Sequence, residues 1–519
     1  MTVRINNVDR GDIYLLTQMG VDIDDAGDNW ARAIMFPDRY AGLQKLGYDM
    51  TVLPKPKIDR AGYHTYATLT SELQAIEAAH PTLCKLYNIG NSVQGRALWF
   101  MKISDNVNVE EDEPEFKYIS TMHGDEVVGM EMCMNLINLL VDDYGTDPQI
   151  TNLVDNVEIW IMPDMNPDGT AMSMRYNANY ADLNRDFPDY VDDPVNTTAG
   201  RQPETAHVMN WQFEHYPVLS ANFHGGALVV NYPFDNDPNP WASYSATPDD
   251  DLIIEQSLTY SELNLPMYNG SWYHGITNGI AWYMVSGGMQ DWNYVWMGCN
   301  DVTIELDNDK WPSYSRIPGL WNNNRGSMLA YMERCLEGVR GIVTNSVTGA
   351  PLAATVRIQG RDHSVYTDPD VGDYHRMLLP GTYTVQVTAP GFLNQNISGV
   401  SVGSGAATRL DVAMTPAFPL IADKDELSSA GGSLEFTLMA GATHGSRNYL
   451  LLGSASGTSP GFPLPGGMAT LPLNWDVITE TLLSLTNTPV LPGFMGTLSA
   501  GGNSEAQLFS PHLPSSAIG

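Results

Sequence analysis

From about residue 60 to 335, short apolar runs alternate with longer segments of helical spacing, which predicts a layered α/β domain. EFKYIST (115–121) reads as a strand. After a short turn, VVGMEMCMNLINLLVDDYG is apolar nearly all round and reads as a buried helix. VEIWIMP (157–163), VLSANFH (218–224) and DVTIEL (301–306) read as further central strands. After Cys335 the texture changes. VRGIVTNSVTGAP, ATVRIQG, YTVQVTAPGF and TRLDVAM are separated by turn signals without helical periodicity, which predicts a small β-sandwich over 336–415. Residues 416–519 are rich in Gly, Ser, Pro and Leu; SLEFTLMAG and AQLFSP read as strands of a further β-rich module. At the other end, residues 1–58 form a short unit closed by the proline-punctuated PKPK linker. The expected division is therefore 1–58, 59–335, 336–415 and 416–519, with no internal repeat in the second part.

Composition narrows the function classes. The 519 residues carry 26 Lys plus Arg against 60 Asp plus Glu, a formal net charge of −34. Such a surface repels nucleic acid and anionic lipid, so neither is an expected partner. No run reaches the roughly 18 apolar residues that a membrane span requires. The opening MTVRINNVDRGD lacks the apolar core of an export signal, so any such signal is expected to lie outside this sequence. Cys84, Cys133, Cys299 and Cys335 show no CxxC spacing; they suggest neither a zinc knuckle nor a disulfide-dense scaffold, and leave room for one or two bridges.

The sharpest chemical signal is His123-Gly124-Asp125-Glu126 between a strand and a helix. Zinc suits neutral imidazole and carboxylate, and a catalytic ion takes three protein ligands and keeps one position open for water. A His and a Glu three residues apart across a strand end and a helix start can turn towards one point. The third ligand must come from elsewhere. His224 ends VLSANFH and precedes Gly225-Gly226, where the backbone can turn tightly beside an ion. An isolated HxxE is weak, and the surrounding blocks decide its meaning.

Those blocks run YHTYATLTSEL, IGNSVQGRALWFMKISD, HGDEVVGME, PDMNPDG, NYADLNRDFPD, NFHGGALVVNYPFD, NGIAWYMVSGGMQDWNY and VTIEL. In this order, over about residues 63–335, they resemble the M14 zinc carboxypeptidases, particularly the N/E (regulatory) branch. The resemblance implies a mixed central β-sheet flanked by helices, followed by a transthyretin-like β-sandwich over 336–415. It implies one Zn2+ per chain, held by His123, Glu126 and His224, with Glu305 as general base and Arg175 polarising the carbonyl. It assigns Asn184 and Arg185 to the terminal carboxylate of a peptide, and Tyr283 to closing over the bound residue. It implies peptide or protein C-termini as partners, and a secreted or periplasmic setting. Residues 1–58 faintly resemble a propeptide remnant.

Two positions address specificity. Asp235, at the end of NYPFD, and Gln290, in GGMQD, match the N/E positions that face a basic side chain. A buried carboxylate with an amide beside it would receive Lys or Arg and penalise Phe. The expected function is thus a zinc exopeptidase that releases C-terminal Lys or Arg. Two rivals stay open: a related hydrolase of cell-wall or poly-Glu peptides, and a non-catalytic zinc-binding protein whose β-modules do the work.

Overall fold

The structure is a computed structural model; it describes all residues except 56–57, 240, 418–419, 425–429, 442–443, 458, 464–469, 472 and 511–519. The second half of the expected PKPK linker therefore lies outside the described residues. The chain divides into two units, one of 1–344, 350–389 and 394–413, the other of 345–349, 390–393 and 414–519.

The first unit is organised by an eight-stranded mixed sheet. Its centre is four parallel strands, Asn300–Asp307, Leu219–His224, Glu115–Ser120 and Glu158–Met162, in that spatial order. Ala227–Tyr232 and Ile276–Asn278 extend one side, and Ala97–Ile103 and Cys84–Asn91 the other. The central strands are buried on both faces, which is why they read as continuous apolar runs. Alternate side chains go to opposite layers. Ile159 and Ile161 enter one core with the helices Val128–Asp142 and Ile317–Glu333, while Trp160 and Met162 enter a second core with Val208, Met209 and Trp292. The helix Val128–Asp142 lies within the predicted 127–145 run and buries Leu136, Ile137 and Leu140 completely.

Beyond this layer, one sheet through Val339–Asn345, Asp373–Arg376 and Thr408–Arg409 accompanies a second of Ser364–Tyr366, Thr355–Ile358, Gly381–Thr388 and Gln395–Val402. This is the β-sandwich that the turn spacing predicts.

Residues 1–52 are more than a remnant. Four antiparallel strands, ordered Asp22–Gly27, Trp30–Ile34, Thr2–Asn6 and Asp49–Val52, carry two helices, Arg10–Gln18 and Pro37–Lys45. Asp9 and Asp12 close a capping box on the first helix. Val3, Ile5, Ile13, Leu16, Ile23 and Leu43 form a separate small core.

The second unit has a three-stranded sheet of Leu420–Ala422, Gly432–Met439 and Asn503–Ser510, as its two apolar patches suggest. It also holds an unanticipated helix, Val477–Leu485, started by Asp476, whose carboxylate accepts from Ile478 and Thr479. The Gly/Ser/Pro-rich surroundings hide that helix from a texture-based reading. Among the described residues, no helix is long and apolar enough to cross a membrane. All four cysteines are unpaired and buried, so no bridge forms.

Because Leu136 is fully enclosed between sheet and helix layer, Leu136→Ala should cost about 2–5 kcal/mol of unfolding free energy. Urea denaturation followed by tryptophan fluorescence checks this; a loss under about 1 kcal/mol would mean that the layer is not close-packed there.

Candidate metal centre and its surroundings

The site lies beyond the carboxyl ends of the central parallel strands, where open α/β sheets place their ligands. His123 and Glu126 sit on the turn between the strand Glu115–Ser120 and the helix Val128–Asp142, and His224 is the last residue of its own strand. The turn is pressed against the start of the helix Pro167–Met172: a Cβ on Gly124 would lie 2.1 Å from the carbonyl carbon of Gly169. Only glycine lets this loop descend far enough.

Three donor atoms converge. His123 Nδ1 is 3.1 Å from Glu126 Oε2, His224 Nδ1 is 2.9 Å from the same oxygen, and the two Nδ1 atoms are 3.0 Å apart. All three side chains are buried. This is a zinc donor set, and its closeness fits an ion between the atoms: two ring nitrogens and a carboxylate oxygen at such spacing share lone pairs pointed at one place. Burial pulls His123 down, and Arg175 does too, but Glu126 and Asp182 outweigh both and leave it raised to about 9. Burial pulls His224 down to about 4. The pocket's negative charge thus calls for a cation, which bound metal would supply in place of a proton. On the far side of the first ring, His123 Nε2 faces Asp182 Oδ1 at 3.0 Å, the carboxylate–histidine arrangement that fixes a ligand's orientation. Asp182 lies inside the NYADLNRDFPD block, but no spacing rule assigns it this role.

Around the trio, one pocket is lined by Glu305, Arg175, Asn184, Arg185, Asp235 and Tyr283. Glu305 pairs in register with His224 on the adjacent strand, and its Oε2 is buried without a hydrogen-bond partner. Burial first, then Glu126, raise it to about 8. Arg175 is buried. Its Nη1 is 3.0 Å from His123 Nδ1, and Asp182 takes its Nε at 2.8 Å. Asn184 Oδ1 accepts from the Met289 amide, fixing the loop that carries Arg185. Asp235 is buried, held by two 2.9–3.0 Å bonds from its own amide to Asp291, and raised to about 7 by desolvation despite Arg185. Gly279 packs on it so closely that a Cβ would lie 1.9 Å from Asp235 Oδ1. Gln290 stands behind the pocket wall, donating to Asn231 at 2.7 Å and accepting from the Thr303 amide at 2.8 Å.

The sequence reading missed the N-terminal strand Asp22–Gly27, which enters this pocket. Asp24 Oδ1 lies 3.1 Å from Arg175 Nη1 and 2.5 Å from Lys310 Nζ, and its Oδ2 lies 2.7 Å from Arg32 Nε. Burial opposes its charge, but Lys310, Arg175 and Arg32 outweigh it and hold the carboxyl well below the usual range. Arg185 Nη2 donates to the Ile23 carbonyl at 3.0 Å, and Tyr283 Oη to the Asp24 carbonyl at 3.4 Å. Lys310 also reaches Glu126 Oε1 at 2.9 Å. An acidic DIDD run reads as solvated surface, so nothing in its sequence signals this placement.

Comparison with known proteins agrees with the blocks read from the sequence. The zinc carboxypeptidase family model matches residues 69–327, and the carboxypeptidase regulatory-like domain matches 338–415. Carboxypeptidase D of Homo sapiens is 43% identical over 370 residues, 67% of this chain and 26% of that protein. The chain thus spans about a quarter of the length of the carboxypeptidase D relatives that it matches. Carboxypeptidase M of Mus musculus is 40% identical over 351 residues, 63% of this chain and 78% of that protein. The crystal structure of carboxypeptidase A from Helicoverpa armigera superposes with a TM-score of 0.51 at 16% identity, covering 64% of this chain and 97% of that one, and shares its fold.

The Glu305 environment has a measurable sign. Its folded value of about 8 exceeds the unfolded value of about 4.3, so the metal-free parent should lose stability as pH rises between the two, then level off. Glu305→Gln removes that loss. In chelator-treated protein the variant should gain a few kcal/mol on the parent by about pH 8, read by urea denaturation from about pH 4 upward; a pH-independent gap would show that Glu305 is not perturbed.

Proposed function

The chain belongs to the zinc carboxypeptidase family, and from that premise we propose that it is a zinc-dependent exopeptidase releasing C-terminal Lys or Arg from peptides, with one catalytic zinc per chain. The observation that carries this reading is the pocket in which two histidines and a glutamate converge beside a buried Arg175, a half-buried Arg185 and a buried aspartate. Zinc held by His123, Glu126 and His224 supplies a Lewis acid and a water that ionises near neutral pH.

The remaining steps belong to this chain's own groups. Glu305, unpaired and pointed into the pocket, accepts a proton from the attacking water and returns it to the departing amine nitrogen. Arg175, fixed by Asp182, presents positive charge to the carbonyl oxygen as it becomes anionic, without reorganising during the reaction. Asn184 and Arg185 take the terminal carboxylate; a guanidinium can hold it through two parallel bonds, which separates a chain end from an internal peptide. Tyr283 covers the bound residue. Asp235, supported by Gln290, receives a cationic side chain, and an acidic terminal residue would meet a buried like charge there. That disfavours the poly-Glu reading. We place the activity in a secreted or periplasmic setting, where its substrates are exposed peptide ends.

In this arrangement residues 1–52 hold the enzyme latent. Asp24 lies on Arg175, and the Ile23 carbonyl on Arg185, so the groups offered to a substrate's oxygens are already taken.

Incubation with a peptide library varied at its last residue should release one Lys or Arg and leave Phe and Glu termini intact, with release abolished by chelator. Asp235→Asn should cost about 10- to 100-fold in kcat/KM for basic termini, the size of one buried charge pair. Cleavage indifferent to the terminal residue, read by mass spectrometry, would sink the specificity. Asp24→Ala in the full chain should raise kcat/KM by about tenfold or more, as expected for loss of a charge-assisted contact; lower activity would mean that the N-terminal strand completes the site.

A further inference from the structure

A second set of metal-type donors lies away from the catalytic pocket, where the segment before the strand Glu115–Ser120 meets the β-sandwich. Asp112, on the 104–114 connection, approaches Asp373 and His375 on the strand Asp373–Arg376. Those two are separated by one residue and so share a face. One donor atom from each of the three lies within 4.8 Å of the others.

The hydrogen bonding leaves a gap there. Asp112 Oδ2 takes Arg340 Nη2 at 3.4 Å and also Arg409 Nη1. Asp373 Oδ2 lies 2.9 Å from His375 Nε2. Asp112 Oδ1 and Asp373 Oδ1 are both buried without a hydrogen-bond partner, and Asp373 as a whole is 5% exposed. A carboxylate oxygen removed from water and left unmatched is costly. Both oxygens belong to residues that bring donor atoms within 4.8 Å of one another. Arg340 and Arg409 bring positive charge to the cluster through Asp112 Oδ2, but neither hydrogen-bonds these two oxygens. The crevice that Asp373 and His375 line is continued by Glu110, Glu113, Glu115 and Asp368. Glu113 Oε2 is also without a hydrogen-bond partner, and Glu115 Oε2 has only the His215 ring, 3.5 Å away. The arginines reach Asp112 from its other oxygen.

We propose that Asp112, Asp373 and His375 hold a second divalent metal ion of the zinc or manganese class, which ties the 104–114 connection of the catalytic layer to the β-sandwich. The donor set selects the ion. Two carboxylates and one imidazole suit zinc or manganese, whereas calcium takes six to eight oxygens in a roomier shell. The role is structural, since the cluster contains none of the residues that line the catalytic pocket. An ion that binds only the joined arrangement stabilises it by mass action.

The test uses the full chain, stripped with chelator, reloaded with Zn2+, desalted and analysed for metal by elemental mass spectrometry. The parent should retain two zinc ions, Asp373→Asn one, and the His123→Ala/His224→Ala double variant one. Zn2+ should raise the thermal midpoint of the double variant, and peptide hydrolysis by Asp373→Asn should match the parent. A parent with one zinc and a double variant with none overturns the proposal: water or a retained proton would then satisfy the two oxygens. Should Asp373→Asn fail to fold, the double variant decides alone, one ion supporting the site and none refuting it. If parent and double variant each hold one while His375→Gln holds none, this site stands and the catalytic assignment is what fails.

Discussion

Two imidazole nitrogens and a carboxylate oxygen with lone pairs aimed at one buried point repel each other unless positive charge lies among them. The catalytic layer is arranged around that constraint. His123 and Glu126 come from a turn and His224 from a strand end, so the trio forms only if two adjacent parallel strands finish at the same level. Register between Glu115–Ser120 and Leu219–His224 sets that level, and the contact of Gly124 with the Gly169–Thr170 backbone sets the depth of the turn. Asp182 then fixes the rotation of the first ring from behind.

The same excess of negative charge explains why cationic side chains gather here in a protein of net charge −34. Arg175, Lys310 and Arg32 surround Asp24, and Arg175 and Lys310 extend to Glu126. Each of these charges is wholly or largely shielded from water, so each depends on its partners; removing one strands the rest. The N-terminal strands are therefore joined to the central sheet through the very groups that hold positive charge near His123, Glu126 and His224. Arg10 adds main-chain anchoring, with Nη1 donating to the Ile280 carbonyl at 2.7 Å just ahead of Tyr283.

What the sequence disclosed follows from where the information resides. The central strands and the helix over 128–142 are legible because burial on all sides forces continuous apolar runs. His123, Glu126 and Arg185 are legible because they lie inside compact blocks. Asp24 is not, because its role depends on a fold assembled from residues 2–52 and on contacts reaching to residue 310. Its own strand, DIDDAG, has neither the alternation nor the β-branched content of a typical strand. Lys310 follows VTIEL by only four residues, yet nothing about a lysine in a polar loop announces a bond to Glu126. Gln290 shows the intermediate case: the block locates it beside the pocket, while its two hydrogen bonds put it behind the wall.

The four sulfhydryls carry a consequence for how this protein can be handled and where it can exist. Cys84, Cys133, Cys299 and Cys335 are unlinked and enclosed, and burial pushes Cys84 and Cys299 up to about 12. The reactive thiolate is then scarce at any physiological acidity. No covalent staple has to form for the chain to reach its native state, and none of the four thiols is exposed to alkylating agents. Thiol–disulfide poise, reducing or oxidising, is accordingly a variable to which these four positions are indifferent.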